Sequence, residues 1–169
     1  VLDWVLELGI EWFTIYALSS ENRLSRTEDE LELLYNLYSD GLSDIAEDPR
    51  IHENKVRVQC VGQLDELPDN VRKAIDMAQK CTKGYDNHTF TVCLNYGGRE
   101  EIVRAIRHLA QLVSDGELGP EQIDQSIVAE QLYTAGMPDP DLIIRTSGEE
   151  RISNFLLWQA AYSELYFTD

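Results

Sequence analysis

The chain has 169 residues, 43% hydrophobic and 27% charged, with ten Gly and five Pro. That composition is globular rather than disordered or fibrous, and it is long enough to bury a core in a single unit. Fourteen basic residues stand against 31 acidic ones, a formal net charge of −17, so nucleic acid is a poor partner, because phosphate backbones are bound by clustered cations.

Alternating elements follow along the chain. Val1 to Leu8 carries apolar residues at helical spacing and stops at Gly9, the back half of a helix. Ile10 to Leu18 is almost continuously apolar, with β-branched and aromatic residues, which predicts a strand covered on both faces. Ser19 to Arg26 reads as a polar loop. Thr27 and Glu30 make a capping box ahead of Leu31, Leu34, Leu37 and Leu42, so a long amphipathic helix is expected toward Asp48, its apolar stripe forming core or a ligand wall.

Lys55 to Gly62 predicts a second strand, Pro68 to Lys83 a helix closed by Gly84, and Thr89 to Asn95 a third strand. Gly97-Gly98 opens a helix over about residues 100–113, a further helix is expected over about 120–134, and Asp141 to Arg145 is a short strand. Strands alternating with helices predict an α/β fold with a mostly parallel central sheet flanked by helices.

Cys60, Cys81 and Cys93 form no CxxC pair and are odd in number, so neither a disulfide framework nor a zinc site is supported, and buried free thiols are expected. His52, His88 and His108 show no HExxH spacing. No apolar run approaches the roughly 20 residues of a membrane span and no signal-peptide layout opens the chain. The expectation is a cytoplasmic protein. Only four Lys accompany ten Arg, and an acidic coat poor in Lys suits a halophilic source, although the same acids also decorate exposed helix faces.

In parallel α/β sheets, ligands bind at the carboxyl ends of the strands. Those ends carry Ser19-Ser20-Glu21-Asn22, Asn95-Tyr96-Gly97-Gly98-Arg99 and Arg145-Thr146-Ser147-Gly148-Glu149. The Gly pair suits a phosphate cradle at a helix N-terminus, but a plain backbone requirement accounts for it at least as well. Arg145 and Arg151, flanking a Ser/Gly turn with Ser153 behind, offer forked donors suited to a diphosphate. The competing reading pairs them with Glu149 and Glu150. Glu164 lies in the aromatic stretch Tyr162 to Phe167, where a carboxylate needs a cation or a donor, and Mg²⁺ is one candidate. The residues thus reach an anion-handling α/β enzyme.

Three stretches resemble signatures of the cis-prenyltransferases: Ala17 to Asn22, Asn95 to Ile102, and Ile144 to Phe167. They occur in the family's order and cover nearly the whole chain. The resemblance implies a Mg²⁺-dependent transferase that condenses isopentenyl diphosphate with an allylic prenyl diphosphate into a long cis-polyprenyl diphosphate. It implies that Arg145, Arg151, Ile152 and Ser153 hold the isopentenyl diphosphate and that Glu164 helps ligate the metal. Asn22 matches the residue that assists proton removal, with Ser19, Ser20, Glu21 and Arg26 at the allylic site. An amide is a poor base, so positioning is the expected role of Asn22. A homodimer packed through the late helices and Tyr162 to Phe167 is also implied, as is delivery of the product to a membrane lipid-carrier pathway, with the enzyme peripheral at the membrane. The Leu31, Leu34, Leu37 and Leu42 stripe is one candidate wall for an apolar chain tunnel.

The chain also departs from the family. Asn22-Arg23-Leu24-Ser25-Arg26 lacks the usual aromatic after the Asn and is one residue longer. The first-strand aspartate motif, the final aromatic-Pro-Asp stretch and the basic tail have no counterpart, so both ends are expected to belong to a longer chain. A non-catalytic scaffold subunit of a heteromeric prenyltransferase is the alternative. The presence of Arg145, Arg151, Ser153 and Glu164 favours the enzyme.

Overall fold

The protein is described by a computed structural model over residues 2–169, which pack as two compact units, one ending at Tyr96 and the other running Gly97–Asp169. The first unit runs α1 (Leu2–Glu7), β1 (Trp12–Tyr16), α2 (Ser20–Ser25), α3 (Glu28–Glu47), α4 (Pro49–Glu53), β2 (Val56–Val61), α5 (Asp69–Thr82) and β3 (His88–Cys93). The second runs α6 (Gly98–Ser114), α7 (Gln125–Glu130), β4 (Leu142–Arg145) and β5 (Glu164–Phe167). Every pairing between these strands is parallel, as expected for the α/β class, and the five strands divide between two sheets, ordered β1-β3-β2 and β4-β5.

Core packing in the first unit follows helical and strand periodicity. α5 buries Val71, Ala74, Ile75 and Ala78, the i, i+3, i+4, i+7 stripe, in one cluster with Val56, Val58 and Cys60 of β2 and Leu42 and Ala46 of α3. β2 is an edge strand, and α5 covers it with polar side chains as well. Thr82 Oγ1 accepts from the Val58 N–H at 3.0 Å and Gln79 Oε1 from the Cys60 N–H at 2.9 Å. Two edge donors that would otherwise invite another strand are thereby satisfied.

The capping box at α3 forms in full. Thr27 Oγ1 accepts from the Glu30 N–H, and Glu30 accepts from the Thr27 N–H at 3.0 Å. The Glu30 carboxylate also accepts from the Thr27 hydroxyl at 3.0 Å, and its two bonds from Thr27, the backbone one first, hold it below the usual range.

Several expectations are corrected. The opening helix is present, with Val1 outside the described residues. β1 is not covered on both faces: none of its residues is buried, and Trp12 is 40% exposed. Of the α3 stripe, Leu42 is buried and Leu31 and Leu34 are half-buried, but Leu37 faces outward beside Leu33. Twenty helical residues rotate a strict leucine series off the buried face, and Tyr35, Tyr38 and Ile45 take the inner positions. The helix expected over 120–134 breaks into a single 3₁₀ turn, Pro120–Gln122, and α7, because Asp124 accepts from the Ile127 N–H at 2.9 Å and starts a new helix. Cys60 and Cys93 are buried, but Cys81 is exposed. Burial pushes the Cys60 thiol up to about 12, which keeps it protonated and unreactive. Among the described residues no helix is long and apolar enough to cross a membrane.

Candidate functional site

The carboxyl edge of the first sheet gathers the first set of polar residues. Beyond β1, Ser19 bridges to Tyr96, the Ser20 N–H donates to the Tyr96 carbonyl at 2.9 Å, and the Tyr96 N–H donates back to Leu18 at 3.1 Å. Ser19, buried, caps α2 by accepting from the Asn22 N–H at 2.9 Å. The span from Ser19 to Arg26 is therefore a capped helical turn and not a loop: a serine ahead of Glu and Asn is an N-cap signal as well as a loop signal. Ser20 donates to Glu21 at 3.2 Å, and Asn22 presents an exposed side chain. Arg26 ends α2 and lies 3.9 Å from Glu30.

A second layer fixes this edge. Asn95, buried and left-handed at φ 47°, donates to the Gln63 carbonyl at 3.0 Å and to the Glu66 carboxylate at 3.3 Å. Glu66 also takes Arg23 Nη1 at 2.7 Å. α2 is thereby tied to the end of β3 and to the turn after β2. The Tyr16 phenol donates to the Tyr96 carbonyl at 3.0 Å, and burial, with the Glu21 carboxylate adding to it, raises its pKa well above the ordinary tyrosine value.

In the second unit, β4 delivers Arg145 to the start of a tight loop. Its Nη1 donates to Ser153 Oγ at 2.5 Å and to the Arg151 carbonyl. Ser147 and Gly148 are left-handed, as are Ser153 and Asn154, so the loop makes two sharp reversals. The structure brings Arg145 and Ser153 together. The Arg151 side chain instead pairs with Glu149, the competing reading of that residue, and Ile152 is half-buried beside it.

Glu164 does not stand with them. It pairs in register with Leu142 whereas Arg145 pairs with Phe167, so three residues of strand, about 10 Å, separate the two positions. Side-chain alternation also sets Glu164 on the opposite face from Arg145. The Gly97-Gly98 cradle is occupied by protein: the Gly98 N–H donates to the Asn154 carbonyl at 2.8 Å and the Arg99 N–H to Asn154 Oδ1 at 2.9 Å.

Below this loop, α6 buries Glu101 completely. Its carboxylate accepts from the Tyr133 N–H at 2.7 Å and from Gln159 Nε2 at 3.2 Å, and Gln159 also donates to Thr134 at 2.7 Å. The segment that follows the arginine loop is thus pinned to the helix by a hydrogen-bonded carboxylate.

The model of the undecaprenyl diphosphate synthase family matches residues 1–169, the whole chain. The chain belongs to the cis-prenyltransferase family. It is 50% identical over its full length to the geranylgeranyl-diphosphate-specific tritrans,polycis-undecaprenyl-diphosphate synthase of Methanopyrus kandleri, and 47% identical to the enzyme of that name from Methanocaldococcus jannaschii. It spans 62% and 61% of those relatives' lengths. The structure of lavandulyl diphosphate synthase from Lavandula x intermedia, in complex with dimethylallyl diphosphate, matches with a TM-score of 0.94 at 36% identity, over 99% of this chain and 72% of that one.

A magnesium ion is implied by the family, and the donor set can be tested for it. Among the described residues no group of three or more His, Cys, Asp or Glu is gathered as a metal centre. Glu164 is an exposed carboxylate that makes no ion pair among the described residues. One carboxylate suits Mg²⁺, which is commonly held by one or two carboxylates together with substrate phosphates and water. Glu164 fits that pattern as a single exposed carboxylate donor.

Sequence reasoning missed the bonds that hold this family member's loops: Glu66 as partner of both Arg23 and Asn95, and Asn154 as the cap of α6. Asn95 and Asn154 both lie within the signatures quoted above, but which N–H groups they satisfy is set by tertiary approach.

Proposed function

We propose that the chain is the catalytic domain of a cis-prenyltransferase that joins isopentenyl diphosphate to an allylic prenyl diphosphate. One observation carries this reading. Arg145, in the loop at the carboxyl end of β4, is held by neutral partners, the Ser153 hydroxyl and the Arg151 carbonyl, as Arg57 and Arg104 are held by backbone carbonyls away from the carboxyl end of any strand, while Arg23, Arg26, Arg50, Arg72 and Arg151 are each paired with a carboxylate. In a chain of net charge −17, a guanidinium whose charge is not offset by an adjacent carboxylate is suited to an anion, and its planar fork to a diphosphate.

In the reaction, the allylic C–O bond breaks and its electron pair leaves with the diphosphate. The isopentenyl double bond then attacks the allylic carbon, and a proton is lost from the new chain. Arg145, Ser153 and Arg151, once Arg151 exchanges Glu149 for the ligand, hold the isopentenyl diphosphate and fix its double bond in place. Asn22 and Ser19, joined through the α2 cap, orient the allylic partner, with Ser20, Glu21 and Arg26 around them. Glu164 would be a ligand of magnesium, which when bound would supply charge neutralisation to the departing diphosphate.

The relatives' specificity supports geranylgeranyl diphosphate as the starter and a long polyprenyl product, which as an apolar chain would be handed to a membrane. A second copy of the chain is the proposed cover for the face of β4 and β5 on which Leu142, Ile144 and Tyr166 are exposed beside Tyr162, the face that also carries Glu164, so the proposed metal ligand lies at the edge of that contact.

Supplied with isopentenyl and geranylgeranyl diphosphates, magnesium and high salt, the protein should yield polyprenyl diphosphates by intact-mass analysis. Absence of any elongated product would sink the reading. Glu164→Gln should shift the magnesium titration of activity to higher concentration by about tenfold, the scale of one lost charge-assisted contact, and an unmoved curve removes Glu164 from the site. Light scattering should report a dimer that Ile144→Arg splits. A dimer that persists in that variant would exclude this face.

A further inference from the structure

We infer that Asn154 is a positioning residue for the reaction: it fixes the Arg145 and Ser153 donors by anchoring their loop to the first turn of α6. The inference rests on the reading of that loop as the isopentenyl diphosphate site.

The first N–H groups of a helix have no intrahelical acceptor. In α6 two of them find both oxygens of one residue, the Gly98 N–H donating to the Asn154 carbonyl at 2.8 Å and the Arg99 N–H to Asn154 Oδ1 at 2.9 Å. The positive end of a 17-residue helix thus faces two partial negative charges of the loop. Close approach is built in at Gly98, where a Cβ would lie 2.9 Å from Leu157 Cγ and 3.1 Å from the Asn154 carbonyl.

The backbone explains why the anchor matters. Ser153 and Asn154 are consecutive left-handed residues, at φ 47° and 64°. Asn tolerates that region, Ser much less, and such a turn persists only where its surroundings hold it. Asn154 is the residue through which a rigid helix does so. One position upstream, the Ser153 hydroxyl receives Arg145 Nη1 at 2.5 Å, and the same Nη1 donates to the Arg151 carbonyl. Three components of the diphosphate site therefore take their geometry from a side chain that needs no contact with substrate.

Two variants separate the amide from the backbone. Asn154→Gly keeps the left-handed conformation and the carbonyl but removes the whole side-chain amide, Oδ1 included. Asn154→Asp keeps an acceptor at Oδ1 and adds a charge that the helix terminus favours. Asn154→Gly should raise the KM for isopentenyl diphosphate about tenfold, the scale of one hydrogen bond. Its kcat and its KM for the allylic diphosphate should stay within about twofold, and Asn154→Asp should behave as wild type. An unchanged isopentenyl KM in the glycine variant overturns the inference, as does an equal loss for both substrates or a failure of aspartate to rescue.

If the wild-type protein turns over neither substrate, the functional reading fails by itself. Calorimetric titration with magnesium pyrophosphate then decides the positioning claim: about tenfold weaker binding in Asn154→Gly alone supports it, and equal affinities, or no binding to wild type, overturn it.

Discussion

The hydrogen bond from the Arg145 guanidinium to the Ser153 hydroxyl is the contact on which the functional account depends. Sharing Nη1 with the Arg151 carbonyl, it closes the loop after β4 without neutralising the cation. A carboxylate in the place of Ser153 would stabilise the same loop and cancel the charge. Arginine carries five N–H donors, and among the described residues only Nη1 of Arg145 is engaged, so a fork remains for a second anionic partner.

The first unit shows the opposite electrostatic choice. There, Arg23 is matched by Glu66, which also receives the buried Asn95 amide, and the result is structural: the short α2 is fastened at the carboxyl edge of a parallel sheet. An exposed ion pair alone contributes little, but sharing the carboxylate with a buried donor makes the geometry of each depend on the other.

Much of this fold is legible along the chain because its signals are local. The Thr27 and Glu30 box needs only four residues, and the strands at 56–61 and 88–93 alternate apolar with polar or smaller residues between polar turns. The misreadings are positions where a local signal has two outcomes. Ser19 could end a strand in a loop or cap a helix, and the tertiary bond from Ser20 to Tyr96 decides. Asp124 interrupts an otherwise helical stretch because its carboxylate competes for a backbone N–H. Arg151 is a different case: it pairs with Glu149 in the folded chain, a partner that the sequence offered alongside an anionic ligand. The Asn154 clamp is beyond sequence reasoning, since its side-chain oxygen accepts from a backbone N–H 55 positions away.

The most direct measurement is the affinity of isopentenyl diphosphate for Arg145→Met, a change that keeps an apolar stem of similar length and removes the cation. The account predicts binding weaker by at least about a hundredfold, the scale of losing charge-assisted bonds to a diphosphate, with a melting temperature close to that of wild type. Unchanged affinity in a folded Arg145→Met protein would contradict it.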